Sequence, residues 1–164
     1  FGSFMAFSVF GVNPSNDDSR RWALDWRASV LRNGWASTPS MTPEQLQQRR
    51  WNGESIWLVD VREADEQSVS MIPGALTVAG YEQRLRSEDP PLVVAYCTMG
   101  FRSGVFTDQQ RVQGRDVVNL SGGIVAWTHV DGDLVDPGTG RATKYVHVYS
   151  SYWNLVASGY TAQW

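Results

Sequence analysis

The chain contains one cysteine, two histidines and no long apolar run, which removes several common ways of building or using a protein. A lone cysteine forms no intramolecular disulfide, so the fold must stand on its hydrophobic core, and a reducing compartment such as the cytoplasm suits it. His129 and His147 are far apart in sequence and indicate no metal cluster. No stretch approaches the roughly 18 apolar residues of a membrane helix. The apolar start, Phe1 to Val12, lacks the basic flank of a signal peptide, and with no Met in first place Phe1 to Phe4 read as a cloning remnant ahead of a native start at Met5. Net charge is −3 with a pI near 5.3, and arginines cluster only in pairs such as Arg20-Arg21 and Arg49-Arg50, so no basic stripe awaits a nucleic acid. Gly122-Gly123 lacks both the dinucleotide fingerprint and a Walker lysine, and reads as the start of a helix. Asp131-Gly132-Asp133 begins like a calcium loop, but Ala142 stands where the closing acidic ligand belongs, so it reads as a turn.

What is present is material for one core. At 164 residues and 42% hydrophobic content, the chain fits a single domain with extensions. After the turn-rich stretch Asn13 to Ser19, Asp18 or Ser19 is positioned to cap a helix over about 20–33, stopped by Gly34. Trp22, Trp26 and Val30 form an i, i+4, i+8 stripe expected to anchor that helix on the core. Thr42-Pro43-Glu44-Gln45 opens a second helix, ending near Trp51 and broken at Asn52-Gly53.

Beyond it, nearly continuous apolar runs at Ile56 to Val61 and Leu92 to Tyr96 read as buried strands, with shorter strands at Leu76 to Val78 and Asp116 to Asn119. Helical segments are expected near Tyr81 to Arg86, at Arg102 to Gln113 with Gly114 as stop, and from Gly122-Gly123 to about Thr128. Strands alternating with helices through short turns indicate an α/β fold: a parallel sheet flanked by helices on both faces. Thr143 to Tyr149 reads as a half-exposed strand, Tyr145, His147 and Tyr149 on one face and Val146 and Val148 on the other.

In parallel sheets, sites form at the carboxyl ends of the strands. Asp60 ends one strand and Cys97 follows another, opening the run Cys97-Thr98-Met99-Gly100-Phe101-Arg102-Ser103. A short glycine-containing loop leading into a helix aims several N–H groups and a guanidinium at the sulfur, which favours its anionic form. A free cysteine commonly packs as an inert small hydrophobe. This loop, helix start and Arg102 set Cys97 apart.

Four pieces in order resemble the rhodanese (sulfurtransferase) family: Leu58-Val59-Asp60-Val61-Arg62-Glu63, Met71-Ile72-Pro73-Gly74-Ala75-Leu76, the Cys97 to Ser103 loop, and Leu120-Ser121-Gly122-Gly123-Ile124-Val125-Ala126-Trp127. The resemblance divides the chain into an N-terminal extension over 1–41, a rhodanese-like domain over 42–135 and a C-terminal extension over 136–164 packed on it. It implies that Cys97 takes a sulfane sulfur from thiosulfate, mercaptopyruvate or a persulfide, carries it as a covalent persulfide, and passes it to a thiol or cyanide. No other cofactor is required. Small sulfur donors and thiol acceptors, a protein thiol among them, are the implied partners. Arg102 is the second catalytic candidate, binding a donor anion, and the amides of Thr98, Met99, Gly100, Phe101 and Ser103 form the anion cradle. Asp60 is expected to brace the loop and Arg62 to pair with Glu63 or Asp65, both as support.

Two departures stand out. Met71 replaces the family's usual histidine, and Thr98 stands where the loop often carries arginine, which weakens the case for an anionic donor such as thiosulfate. The segment Thr143 to Tyr149, with Trp153 and Gly159-Tyr160, resembles the tail of some single-domain rhodaneses from photosynthetic lineages, which adds the plastid as a candidate compartment. Phosphatases and arsenate reductases of related design use a loop one residue longer between Cys and Arg, wide enough for a tetrahedral oxyanion, and a thiol arsenate reductase usually wants a second cysteine. A noncatalytic, partner-binding module is the alternative from another class, motivated by the tryptophan-bearing helix and the tyrosine-rich tail.

Overall fold

The computed structural model describes residues 15–32 and 37–164, apart from the side chain of Arg32. The expectations placed on Phe1 to Pro14, a start at Met5 among them, and on Asn33 and the Gly34 stop lie outside the described residues. In chain order the elements are α1 (Asp17–Arg32), β1 (Ser40–Met41), α2 (Pro43–Trp51), β2 (Ile56–Asp60), α3 (Ala64–Val69), β3 (Leu76–Thr77), α4 (Val78–Arg84), β4 (Leu92–Tyr96), α5 (Phe101–Val112), β5 (Val117–Leu120), α6 (Gly123–Thr128), β6 (Tyr145–His147) and β7 (Thr161–Gln163).

The first five strands form a parallel sheet in the order β1-β5-β4-β2-β3, as the alternation of strands and helices requires. Its central strands are buried on both sides, which is why they read as unbroken apolar runs. Trp57, Val59, Val93, Ala95 and Val117 turn to one face, where Tyr81 of α4 and Phe106 of α5 cover them. Leu58, Val94, Tyr96 and Leu120 turn to the other, against Leu24 of α1, Leu46 of α2 and Ile124 and Val125 of α6. Each such side chain withdrawn from water contributes about 1.5–3 kcal/mol before entropy is counted.

Local chemistry sets the helix starts. Thr42 and Gln45 form a reciprocal capping box with Pro43 in the first turn of α2. Thr77 accepts the Gly80 N–H and starts α4 at Val78, ahead of the expected Tyr81. At α1 the Asn16 side chain accepts the Ser19 N–H at 2.9 Å, performing the capping expected of Asp18 or Ser19.

The C-terminal residues close the second face. Met71 and Val135 exchange backbone hydrogen bonds at 2.9 Å, and β6 and β7 pair in parallel. Val146, Val148 and Leu155 are fully buried in the core beneath. Among the described residues no helix is long and apolar enough to cross a membrane.

Helix α1 corrects the sequence reading. Trp22, Trp26 and Val30 are 52%, 38% and 48% exposed, while Ala23, Leu24 and Arg27 are buried. The helix carries two apolar stripes, and the buried one is hidden from a periodicity search because Arg27 interrupts it. Arg27 lies inside because its guanidinium stacks on the Tyr152 ring, 4.0 Å from the centroid, and donates to the Tyr152 carbonyl. Leu24→Ala is therefore expected to cost about 2–5 kcal/mol in urea unfolding. Trp22→Ser should stay within about 0.5 kcal/mol of the wild type; a larger loss from Trp22→Ser than from Leu24→Ala would place the tryptophan face in the core after all.

Candidate active site

The chain leaves β4 at Tyr96 and turns immediately, so Cys97 sits at the carboxyl edge of the central strand pair, beside the end of β2. Gly100 makes the turn possible: its φ of 99° lies in the left-handed region, and α5 begins at the next residue. The Gly100 N–H then points back and donates to Cys97 Sγ at 3.1 Å, and the Ser103 hydroxyl donates to the same sulfur at 3.4 Å. Cys97 itself is 2% exposed.

The outer side of the turn is held by α6. Ile124 N–H donates to the Cys97 carbonyl at 2.9 Å and Val125 N–H to the Thr98 carbonyl at 3.3 Å. So close an approach excludes any side chain at Gly123, where a Cβ would stand 2.2 Å from the Cys97 oxygen. The Gly122-Gly123 pair is thus a packing requirement of the loop. Asn119, from the end of β5, donates its amide to the Gly100 carbonyl at 2.9 Å.

A residue that sequence reasoning passed over completes the arrangement. Glu66, on the short helix α3, is 1% exposed and receives both ends of the Arg102 fork, at 2.6 and 2.7 Å. The Thr98 hydroxyl donates to Glu66 Oε1 at 2.9 Å and accepts from Arg102 at 3.0 Å, and the Glu63 N–H donates to Glu66 Oε2. Burial alone works against a charge on Glu66, but the hydrogen bonds from Arg102, the Glu63 backbone and Thr98 outweigh it and hold the carboxyl down at about 2. Arg102 is raised above its ordinary value, chiefly by those bonds to Glu66, against burial, with the Cys97 sulfur adding to the effect.

The other expected residues fall as follows. Thr98 joins the loop to Glu66, Met99 is buried in the core below, and Phe101 stands half out of the surface at the rim. Arg62 pairs with Asp60 at 2.6 Å, both side chains fully buried, and not with Glu63 or Asp65. Asp60 accepts the Arg62 backbone N–H and its guanidinium, so it braces the β2–α3 turn and makes no hydrogen bond to the Cys97 loop. A second Arg62 bond, to the Ser70 carbonyl, ties down the far end of α3, which carries Glu66. The support is real, but it reaches the loop through α3.

Above the sulfur lies a cleft of about 280 Å³ walled by Leu31, Met99, Phe101, Tyr149 and Trp153, with Arg102 at its edge. Tyr149 breaks the strand alternation expected of Thr143 to Tyr149: its φ is 71°, its N–H donates to His147 Nδ1, and its ring centroid lies 5.7 Å from the Arg102 guanidinium carbon. A bulky residue in left-handed backbone is a signal that no sequence pattern carries.

Residues 42–129 match the family of rhodanese-like domains. A sulfurtransferase of Allochromatium vinosum is 37% identical over 98 residues, covering 57% of this chain and 92% of that protein. Among solved structures, a thiosulfate sulfurtransferase of Pseudomonas aeruginosa superposes with a TM-score of 0.58 at 23% identity over 73% of this chain, which spans 24% of that one. The rhodanese-like domain of an Anabaena protein gives 0.53 at 22% identity, over 63% of this chain and 83% of that domain. The parallel α/β sheet with flanking helices is the fold they share.

The Glu66–Arg102 pair has a testable pH signature. The Glu66 carboxyl titrates near 2 in the folded protein against an ordinary value of 4.5, so its contribution is complete above 4.5 and is lost as pH falls towards 2. Urea unfolding should find Glu66→Gln weaker than wild type at neutral pH by on the order of 2 kcal/mol, since the partial exposure of Arg102 screens the pair. The gap should narrow steadily below pH 4.5. A gap that stays constant down to pH 2 would show that the carboxylate carries no such charge-linked stability.

Proposed function

The chain belongs to the rhodanese-like domain family, and on that premise we propose that it is a sulfurtransferase in which Cys97 is both nucleophile and sulfur carrier. The observation that carries this reading is the placement of the Cys97 sulfur: at the floor of a cleft, accepting the Gly100 N–H, with the Ser103 hydroxyl beside it. Those donors suit an anionic sulfur without a bound counter-ion. Cys97 attacks the sulfane sulfur of a donor, the donor's sulfur bond breaks, and the bound sulfur leaves later to a thiol or cyanide. One nucleophile suffices for two such displacements.

Arg102 acts from the side. Its cation neighbours the sulfur, while its fork, engaged by Glu66 and Thr98, keeps the loop closed. Donor candidates are thiosulfate, mercaptopyruvate and low-molecular-weight or protein persulfides. Intact-mass spectrometry after exposure to each should show one added sulfur atom on wild type and none on Cys97→Ser. If no donor adds sulfur at Cys97 while circular dichroism reports a folded protein, the enzymatic reading is wrong.

One observation favours a second reading, a partner-binding module: the exposed Trp22, Trp26 and Val30 stripe on α1. Binding that survives Cys97→Ser and is abolished by Trp22→Ser with Trp26→Ser would support it; the opposite pattern would count against it.

A further inference from the structure

Resting on the sulfurtransferase reading above, we propose that the cleft over Cys97 selects an organic persulfide with an aromatic or branched apolar group over a small inorganic dianion, and that Tyr149 is the residue that sets this preference. The charges at the site point that way. Among the described residues that line the cleft Arg102 is the one cation, and its guanidinium is already matched by Glu66 at 2.6 and 2.7 Å. Thr98, beside the sulfur, brings a hydroxyl and no charge, and that hydroxyl is committed to Glu66 and Arg102. A dianion such as thiosulfate would give up its hydration on entry, and among the described lining residues the one cation, Arg102, is already paired with Glu66. A hydropersulfide brings at most one negative charge, together with an apolar group that the wall can cover.

The walls favour the same class. Leu31, Met99, Phe101, Tyr149 and Trp153 offer aliphatic, thioether and aromatic surface. About 280 Å³ lies just under the roughly 300–1,000 Å³ of ordinary ligand cavities, which suits one ring or a short branched group. Tyr149 and Trp153 come from the C-terminal residues, beyond the 42–129 stretch that matches the family, so this chain's own tail builds that wall. Tyr149 is 65% exposed and its backbone is left-handed, a conformation that no tyrosine adopts cheaply. The strain is repaid if the ring has a guest to cover.

In the transfer step the Cys97 thiolate attacks the outer sulfur of R–S–SH. A Cys97–sulfur bond forms, the donor S–S bond breaks, and R–S⁻ departs with its electron pair and takes the proton of the transferred SH as R–SH. The Cys97 sulfur is oxidised from thiol to persulfide level as the donor's inner sulfur is reduced from persulfide to thiol level. The enzyme is left as an anionic persulfide under the Gly100 N–H.

The test compares the second-order rate of sulfur loading on Cys97 from benzyl hydropersulfide and from thiosulfate, by mass spectrometry, with Cys97→Ser as the blank. Wild type should prefer the benzyl donor by about tenfold or more, and Tyr149→Ala should cut that preference by about tenfold. Equal or faster loading from thiosulfate, or a preference that Tyr149→Ala leaves unmoved, overturns the proposal while Cys97 is still seen to carry sulfur. Failure of both donors to load a folded protein removes the sulfurtransferase reading and this proposal with it.

Discussion

The tight seating of α6 on the Cys97 turn is the constraint on which the site depends. The first residues of α6 donate to the Cys97 and Thr98 carbonyls, and only glycine fits at position 123. Because those carbonyls are turned outward to α6, the amide of Gly100 is free to turn inward to the sulfur. A left-handed Gly100 and the Asn119 amide finish the turn. Parallel pairing of β4 with both β2 and β5 is what brings β5 and α6 within reach of the loop.

Electrostatics divides the site into two ion pairs, one buried and one partly exposed, with separate work. Asp60 and Arg62, both fully enclosed, hold the β2–α3 turn and anchor α3 through the Ser70 carbonyl. Breaking such a pair by removing one partner leaves a naked charge and costs about 3–5 kcal/mol, so neither residue need touch a substrate to be essential. Glu66 and Arg102 work at the loop itself, with Thr98 bridging them. Their pairing commits the Arg102 guanidinium to Glu66 and Thr98. What remains above the sulfur is mostly apolar wall, contributed in part by the tail.

Four of the five sheet strands and the Cys97 loop were legible in the sequence because they rest on local signals, whereas β1, two residues long, carries none. Apolar runs at Ile56 to Asp60 and Leu92 to Tyr96, a strand end at Cys97, Gly100 and a helix start each follow from a few neighbouring residues. Glu66 was not legible. Its helix has six residues, too few for a periodic pattern, and its partner is 36 positions away. Tyr149 escaped for a different reason, since a regular strand pattern ran through a position whose backbone turns left-handed. On α1 the two tryptophans gave the stronger stripe, yet the fold buries the weaker one, because Arg27 finds aromatic partners in the tail that no local pattern could disclose.

A crystal structure of the sulfur-loaded protein tests the central claim most directly. The account predicts one additional sulfur bonded to Cys97 Sγ, lying under the Gly100 N–H and facing Tyr149, with Arg102 still paired to Glu66. An added sulfur on any other residue, or an Arg102 that has left Glu66 to clasp the persulfide, would contradict it.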